Sequence, residues 1–408
     1  MIPFSPPHID QEIIDEVVAA LKSGWITTGP RTKQFEKDLS AYNGNPNTLC
    51  LNSATAGLEI ILRWFGVGPG DEVIVPAYTY SATANVVMHT GARPVFCDVK
   101  IDDFNINPSC IEHLITERTK VIMPVDFGGM PCDFEEINAL VIKESIQAKF
   151  KANGKNQEKL GRILVLSDAA HSIGARYQGK MTGTLTDVSV FSFHAVKNLT
   201  TAEGGAIALN LPEPFDNKAI YDALCISTLH GQNKDALAKM QKGNWKYDII
   251  EPGYKCNMTD IMAAIGLVEL RRYESFTLPR RKEIFDAYKT ALSNYAWAEI
   301  APYETDSKTS SYHLFPLRIL GISEIQRDAI MQKIFDKDVS VNVHFIPVPM
   351  MSYYKEQGYS IANYPVTYYN FSREISLPVY IDLTNEQVQI VIDAVVSAVE
   401  SILKNQHA

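Results

Sequence analysis

The chain reads as an α/β protein: a mostly parallel sheet between helices, followed by a smaller α+β domain. Three observations predict this. Short apolar runs recur with helix-length segments between them: Glu72-Val73-Ile74-Val75, Pro94-Val95-Phe96-Cys97, Val121-Ile122-Met123-Pro124, Ile163-Leu164-Val165-Leu166, Val188-Ser189-Val190-Phe191 and Ala206-Ile207-Ala208-Leu209. Continuous apolar strands of this kind are buried on both faces, as in parallel sheets. The length, 408 residues, exceeds one small domain. From about Thr259 the pattern shifts to long helices around Leu314-Phe315-Pro316-Leu317-Arg318-Ile319 and Val339-Ser340-Val341-Asn342-Val343. The expected division is a large domain over 1–258 and a small one over 259–408.

The elements follow in order. Ile13, Ile14, Val17, Val18 and Leu21 recur at helical spacing, with Asp10 placed to cap the start and Gly24 to end the helix. Gly24-Trp25-Ile26-Thr27-Thr28-Gly29-Pro30 is a loop by its glycines and proline. Leu58, Ile61, Leu62 and Phe65 form a helix stripe stopped by Gly66. Residues 143–161 crowd five lysines into a polar stretch, read as a solvated helix extension plus loop. Ser323-x-x-Gln326 and Thr384-x-x-Gln387 have the form of capping boxes. Val388, Val391, Val395, Val399 and Ile402 share one face of the last helix.

Composition excludes some classes. Acidic residues outnumber basic ones, 47 to 38, for a net charge of −9. A nucleic-acid or anionic-membrane binder needs a basic face, so neither partner is expected. The six cysteines form no Cys-x-x-Cys pair and no zinc spacing with histidine, so reduced, mostly buried thiols and no metal are expected. The opening Met1-Ile2-Pro3-Phe4-Ser5-Pro6-Pro7 lacks a basic start and apolar run, and no apolar run approaches a membrane span of roughly 20 residues. A soluble, cytoplasmic protein is expected.

In open parallel sheets, ligands sit at the carboxyl ends of the strands. Asp168 ends the run 163–166 and precedes Ala169-Ala170-His171. An acid there can hold a proton on a heteroaromatic nitrogen, or simply cap a helix. Lys197 follows the run 188–193, wedged before the next apolar strand. Partial desolvation lowers such an amine's pKa and suits it to condense with an aldehyde; the plainer reading is an exposed loop lysine. Ser53-Ala54-Thr55-Ala56-Gly57 opens a helix, where free N–H groups suit a phosphate, or a plain Ser cap. No Gly-x-Gly-x-x-Gly or Walker motif is present. Each feature alone favours its plainer reading. Together they make a phosphate seat, a ring-nitrogen acid and an aldehyde-binding lysine, the inventory for pyridoxal 5′-phosphate.

On these residues, and on Phe191-Ser192-Phe193-His194-Ala195-Val196-Lys197-Asn198, the 24–30 loop and Pro252-Gly253-Tyr254-Lys255, the chain resembles the DegT/StrS nucleotide-sugar aminotransferases. The likeness runs from about Pro3 to the last helix, residues 143–161 being the main departure. It implies the fold-type-I, aspartate aminotransferase-like architecture with a seven-stranded sheet. It implies that Lys197 bonds the cofactor aldehyde, Asp168 pairs with the ring nitrogen and His171 meets the ring hydroxyl, where many relatives have glutamine. Tyr80 would stack on the ring, where near relatives have tryptophan. Thr55, Ala56 and Ser192 would hold the phosphate. The segment 253–260 would reach a neighbouring subunit's site in a homodimer. Many relatives have Gly-Tyr-Asn-Tyr-Arg there; this chain has Gly253-Tyr254-Lys255-Cys256-Asn257, and Asn257 is assigned the phosphate contact.

The implied activity is transamination of a nucleotide-diphosphate keto sugar, UDP-linked and 4-keto, with glutamate leaving as 2-oxoglutarate. Trp25, Thr27, Thr28, Lys255 and His344 are the candidate substrate contacts, with His313, Trp245 and Lys246 as weaker ones. The amino sugar would feed cell-surface polysaccharide, such as lipopolysaccharide. Two alternatives are a sugar 3-dehydratase, in which histidine replaces the lysine, and a non-catalytic regulator. Lys197 and the complete Asp168/Lys197/Thr55 set argue against them.

Overall fold

A computed structural model of the chain describes residues 1–234 and 246–404; Trp245 lies outside them. Strands β1 (Asn47–Leu51), β2 (Glu72–Pro76), β3 (Arg93–Cys97), β4 (Thr119–Ile122) and β5 (Leu164–Asp168) are followed by a short ribbon, β6 (Arg176–Tyr177) and β7 (Lys180–Met181), then by β8 (Val188–Ser192) and β9 (Gly205–Leu209). Seven of them form one sheet in the order β1-β9-β8-β5-β4-β2-β3. The pairs from β3 to β8 are parallel; β9 alone runs against its neighbours. This is the expected α/β architecture.

Both faces of the sheet are packed. Val73, Val75, Leu164, Leu166, Val190 and Ile207 face one apolar cluster with helix Ala54–Trp64. Ile74, Ile122 and Val165 face another, with helix Phe134–Val141. Gly57 lets helix Ala54–Trp64 close on the sheet: a Cβ there would stand 2.8 Å from Val190 Cγ1. That close approach seats the helix N-terminus beside the ends of β1 and β8.

The second unit is a three-stranded antiparallel sheet, β10 (Ala298–Ile300), β12 (Phe315–Ile319) and β13 (Glu374–Leu377), while β11 (Lys308–Thr309) joins the β6–β7 ribbon. Helix Asn385–Lys404 buries Val388, Val391, Val395 and Val399 against it. Both capping boxes form.

Three features go beyond what the sequence pattern shows. Residues 339–343 alternate like a strand, yet make only isolated bridges, Ile2 with Val339 and Asn342 with Ser376. Strand β1 carries a weaker apolar signal than the six runs above. On helix Gln11–Lys22 only Ile13 and Ala20 are buried; Ile14, Val18 and Leu21, at i, i+4 and i+7, stay exposed. Residues 143–161 form two short helices, Glu144–Gln147 and Lys155–Leu160, as a polar segment should. All six cysteines are free. Among the described residues no helix is long and apolar enough to cross a membrane.

Candidate active site

The carboxyl ends of β5 and β8 and the turn after β1 meet at one rim of the sheet, and a cavity of about 420 Å³ opens there. Asp168, His171, Lys197, Ser192, Thr55 and Tyr80 line it, as do His313 and His344 from the small domain.

Asp168 is the last residue of β5 and is buried. Thr83 donates its hydroxyl to Oδ2 at 2.8 Å, and the Ala170 N–H reaches Oδ1 at 3.3 Å. Burial pushes the carboxyl up; Thr83, the Ala170 N–H and the Lys197 charge pull it back. Lys197 sits in the turn after β8, its N–H on the His194 carbonyl at 2.9 Å. Desolvation lowers its amine to about 8, opposed by the charge of Asp168. Amine and carboxylate thus share one desolvated cavity and hold each other's charge.

His171 accepts the Gly128 N–H on Nδ1 at 3.2 Å, which leaves Nε2 to carry the ring proton. Its ring is 4.4 Å from that of His313. Burial holds both well below the usual histidine range, followed for His171 by the Lys197 charge and for His313 by His171. Asn198 donates to the Ser311 carbonyl at 2.6 Å, so its oxygen faces His313 Nδ1 at 2.8 Å. Tyr80 is 62% exposed at the mouth, 5.7 Å from the Phe345 ring.

Ser53, also in the lining, caps helix Ala54–Trp64 by accepting the Ala56 N–H at 3.1 Å. Ala56 itself does not line the cavity. The first N–H groups of that helix have no intrahelical acceptor and point outward from its start.

The remaining expected contacts are not brought into the cavity by their own chain. Thr28 donates to the Met258 carbonyl at 2.5 Å, and Asn257 donates to Thr28 at 2.5 Å. Lys255 touches Asn257. Trp25, Thr27, Thr28, Lys255 and Asn257 thus cluster in or beside the 24–30 loop, off the cavity lining. Lys246 is exposed.

Thr83, Phe345 and the pair Glu374–Ser376 behind His344 escaped the sequence reading. Thr83 could have been found as a hydroxyl in the first turn of helix Ser81–His89, which follows β2. The others are joined only by the fold.

The donor set fits pyridoxal phosphate. A desolvated amine and a buried carboxylate open into the same space, and a helix start and Ser192 line it too. No cluster of His, Cys, Asp or Glu that could hold a metal occurs among the described residues.

The DegT/DnrJ/EryC1/StrS aminotransferase family matches residues 7–396. The spore coat polysaccharide biosynthesis protein SpsC of Bacillus subtilis is 37% identical over 398 residues, 97% of this chain and 96% of that protein. Spr1654 of Streptococcus pneumoniae, assigned as a sugar aminotransferase and solved in its PMP form, superposes with a TM-score of 0.95 at 46% identity, over 98% of this chain and 100% of that one. Helicobacter pylori PseC, an aminotransferase involved in pseudoaminic acid biosynthesis, gives 0.86 at 27% identity, over 98% and 99%.

Proposed function

Because this chain belongs to the DegT/DnrJ/EryC1/StrS aminotransferase family and is a pyridoxal-phosphate-dependent sugar aminotransferase, we propose that it aminates a nucleotide-diphosphate keto sugar, UDP-linked and 4-keto, with glutamate as donor. The observation that supports this most is that Lys197, Asp168, His171, Ser192 and Thr55 line one and the same cavity. When bound, the cofactor supplies a ring that takes up the electron pair left on a substrate carbon as its C–H bond breaks.

In the proposal the chain's residues do the rest. Ser192, Thr55 and the adjoining N–H groups seat the phosphate. Asp168 keeps the opposing ring nitrogen protonated, and His171 Nε2–H faces the ring hydroxyl. Lys197 Nζ, uncharged above about pH 8, takes a proton from the donor's α-carbon and later gives one to the sugar carbon that gains nitrogen. Tyr80 would stack on the ring.

The proposed assembly is a homodimer with shared sites, in the cytoplasm. Ile9, Ile14, Val18, Leu21 and Ile26 are between 38% and 54% exposed, an apolar face that a second copy would cover. Trp25, Thr27, Thr28, Lys255 and Asn257, off their own cavity, would then serve the neighbour's, Asn257 at the phosphate and the others at the nucleotide. The division at residue 258 belongs to the same proposal. The product would feed cell-surface polysaccharide.

The experiment is a turnover screen of nucleotide keto sugars with ¹⁵N-glutamate. Labelled nitrogen on carbon 4 of a UDP-sugar is the expected result. A sugar that loses a hydroxyl and gains no nitrogen would replace the proposal with dehydration.

A further inference from the structure

Glu374, in β13, is fully buried. Among the described residues it forms no ion pair: Arg318 and Arg327 lie near, but Arg318 pairs with Glu299 and Arg327 with Asp328. Its two oxygens are both engaged. Oε2 accepts the His344 N–H at 3.0 Å, and Oε1 meets the Ser376 hydroxyl. Ser376 Oγ lies 2.9 Å from His344 Nδ1, and His344 lines the cavity, its Nε2 without a hydrogen-bond partner among the described residues.

A serine hydroxyl has one proton, so Ser376 donates to one neighbour and accepts from the other. Two arrangements satisfy all three groups. With Glu374 ionised, Ser376 donates to it, His344 donates Nδ1–H to Ser376, and Nε2 offers the cavity a lone pair. With Glu374 protonated, it donates to Ser376, Ser376 donates to His344 Nδ1, and Nε2–H faces the cavity. The two differ by one proton.

We propose that Glu374 and Ser376 form a proton relay behind His344, so that the buried carboxyl decides whether the cavity meets a hydrogen-bond acceptor or a donor at Nε2. A proton taken up at Nε2 displaces the Nδ1 proton to Ser376, whose own proton passes to Glu374. The reverse sequence returns it. The imidazole stays neutral in both end states, in keeping with a burial that holds it down to about 3. Burial pushes Glu374 up to about 8, so the exchange falls within the working range of an enzyme. The charged and titratable groups facing Glu374 are Arg318 from β12, Arg327 from helix Glu324–Phe335, and Tyr78 after β2; those acting on His344 are Lys197, His171 and His313, which line the same cavity. Glu374 and Ser376 are positioning residues, since only His344 lines the cavity.

The relay rests on the cavity being the reaction site and on no particular sugar. The test therefore uses substrate-free, cofactor-loaded protein labelled with ¹⁵N-histidine, with His344 assigned from the spectrum of His344→Gln. Two-bond ¹H–¹⁵N correlations from pH 6 to 10 read the ring tautomer. The expected result is Nε2–H at low pH and Nδ1–H at high pH, with the change near 8. Glu374→Gln, whose oxygen accepts from the His344 N–H and whose amide donates to Ser376, should hold Nε2–H throughout. Ser376→Ala, which is small and does not depend on replacing the buried acid, should abolish the pH dependence. One tautomer at every pH in the wild type, or an unchanged transition in Ser376→Ala, would overturn the relay. Failure of the sugar screen would leave these spectra unaffected.

Discussion

Thr83 donates its hydroxyl proton to Asp168 Oδ2 at 2.8 Å, from a helix turn that lies 85 residues away in sequence. It is one of few groups that offset the cost of burying that carboxylate. Thr83→Val should raise the Asp168 pKa further and weaken its hold on a cationic ring. The expected loss in kcat/KM for glutamate is about tenfold, the weight of one such hydrogen bond. Thr83→Ser should recover most of it, as stopped-flow traces of the cofactor absorbance would show.

Lys197 titrates at about 8 instead of 10.5. Only the uncharged amine condenses with an aldehyde. Condensation of the apoprotein with added cofactor should therefore quicken about tenfold per pH unit below 8 and level off above. Because Asp168 opposes the shift, Asp168→Asn should move the inflection lower. The unfolded chain binds more protons at this lysine between 8 and 10.5, so its contribution to stability rises with pH through that window.

Asp260 pins the 24–30 loop to its helix. It accepts the N–H groups of Gly29 at 2.8 Å, Arg31 at 3.0 Å and Thr32 at 2.9 Å, and the Thr32 hydroxyl at 2.7 Å. Asp260→Ala leaves buried donors without an acceptor. Denaturant unfolding should show a loss of about 3 kcal/mol, with a higher KM for the sugar.

Lys255 is the proposed cation for the nucleotide diphosphate of a neighbouring site. Lys255→Ala should raise the sugar KM about tenfold, and the wild-type KM should rise with salt more steeply than the variant's. An unchanged KM removes the lysine from the proposal.

Asp168 and Lys197 each favoured a plainer reading alone, a helix cap and a loop lysine; only the Ser53–Gly57 helix start and the motif over 191–198 joined them, and both line the cavity. Strand β1 was not: Asn47-Thr48-Leu49-Cys50-Leu51 opens with two polar residues, and its partner β9 begins at Gly205. The stripe on the first helix read as one apolar face, but periodicity is blind to what covers such a face; Ile14 and Val18 stay exposed here. The segment 339–343 alternates like a strand, yet it makes only two isolated bridges, Val339 with Ile2 and Asn342 with Ser376. Thr83 gave only the weak signal of a hydroxyl in a first helical turn, and Ser376 and Glu374 gave none, because their meaning lies in contacts between distant segments. In sequence, Glu374-Ile375-Ser376 is ordinary strand alternation, and only folding sets Ser376 beside His344.

The central claim is that one amine, Lys197, bonds the cofactor. Borohydride reduction of the loaded protein, followed by digestion and peptide mass spectrometry, tests it directly. The account predicts the reduced phosphopyridoxyl mass on the peptide containing Lys197, and no such mass in Lys197→Ala. The label on another lysine, such as Lys33 or Lys255, with Lys197 unmodified, would contradict it.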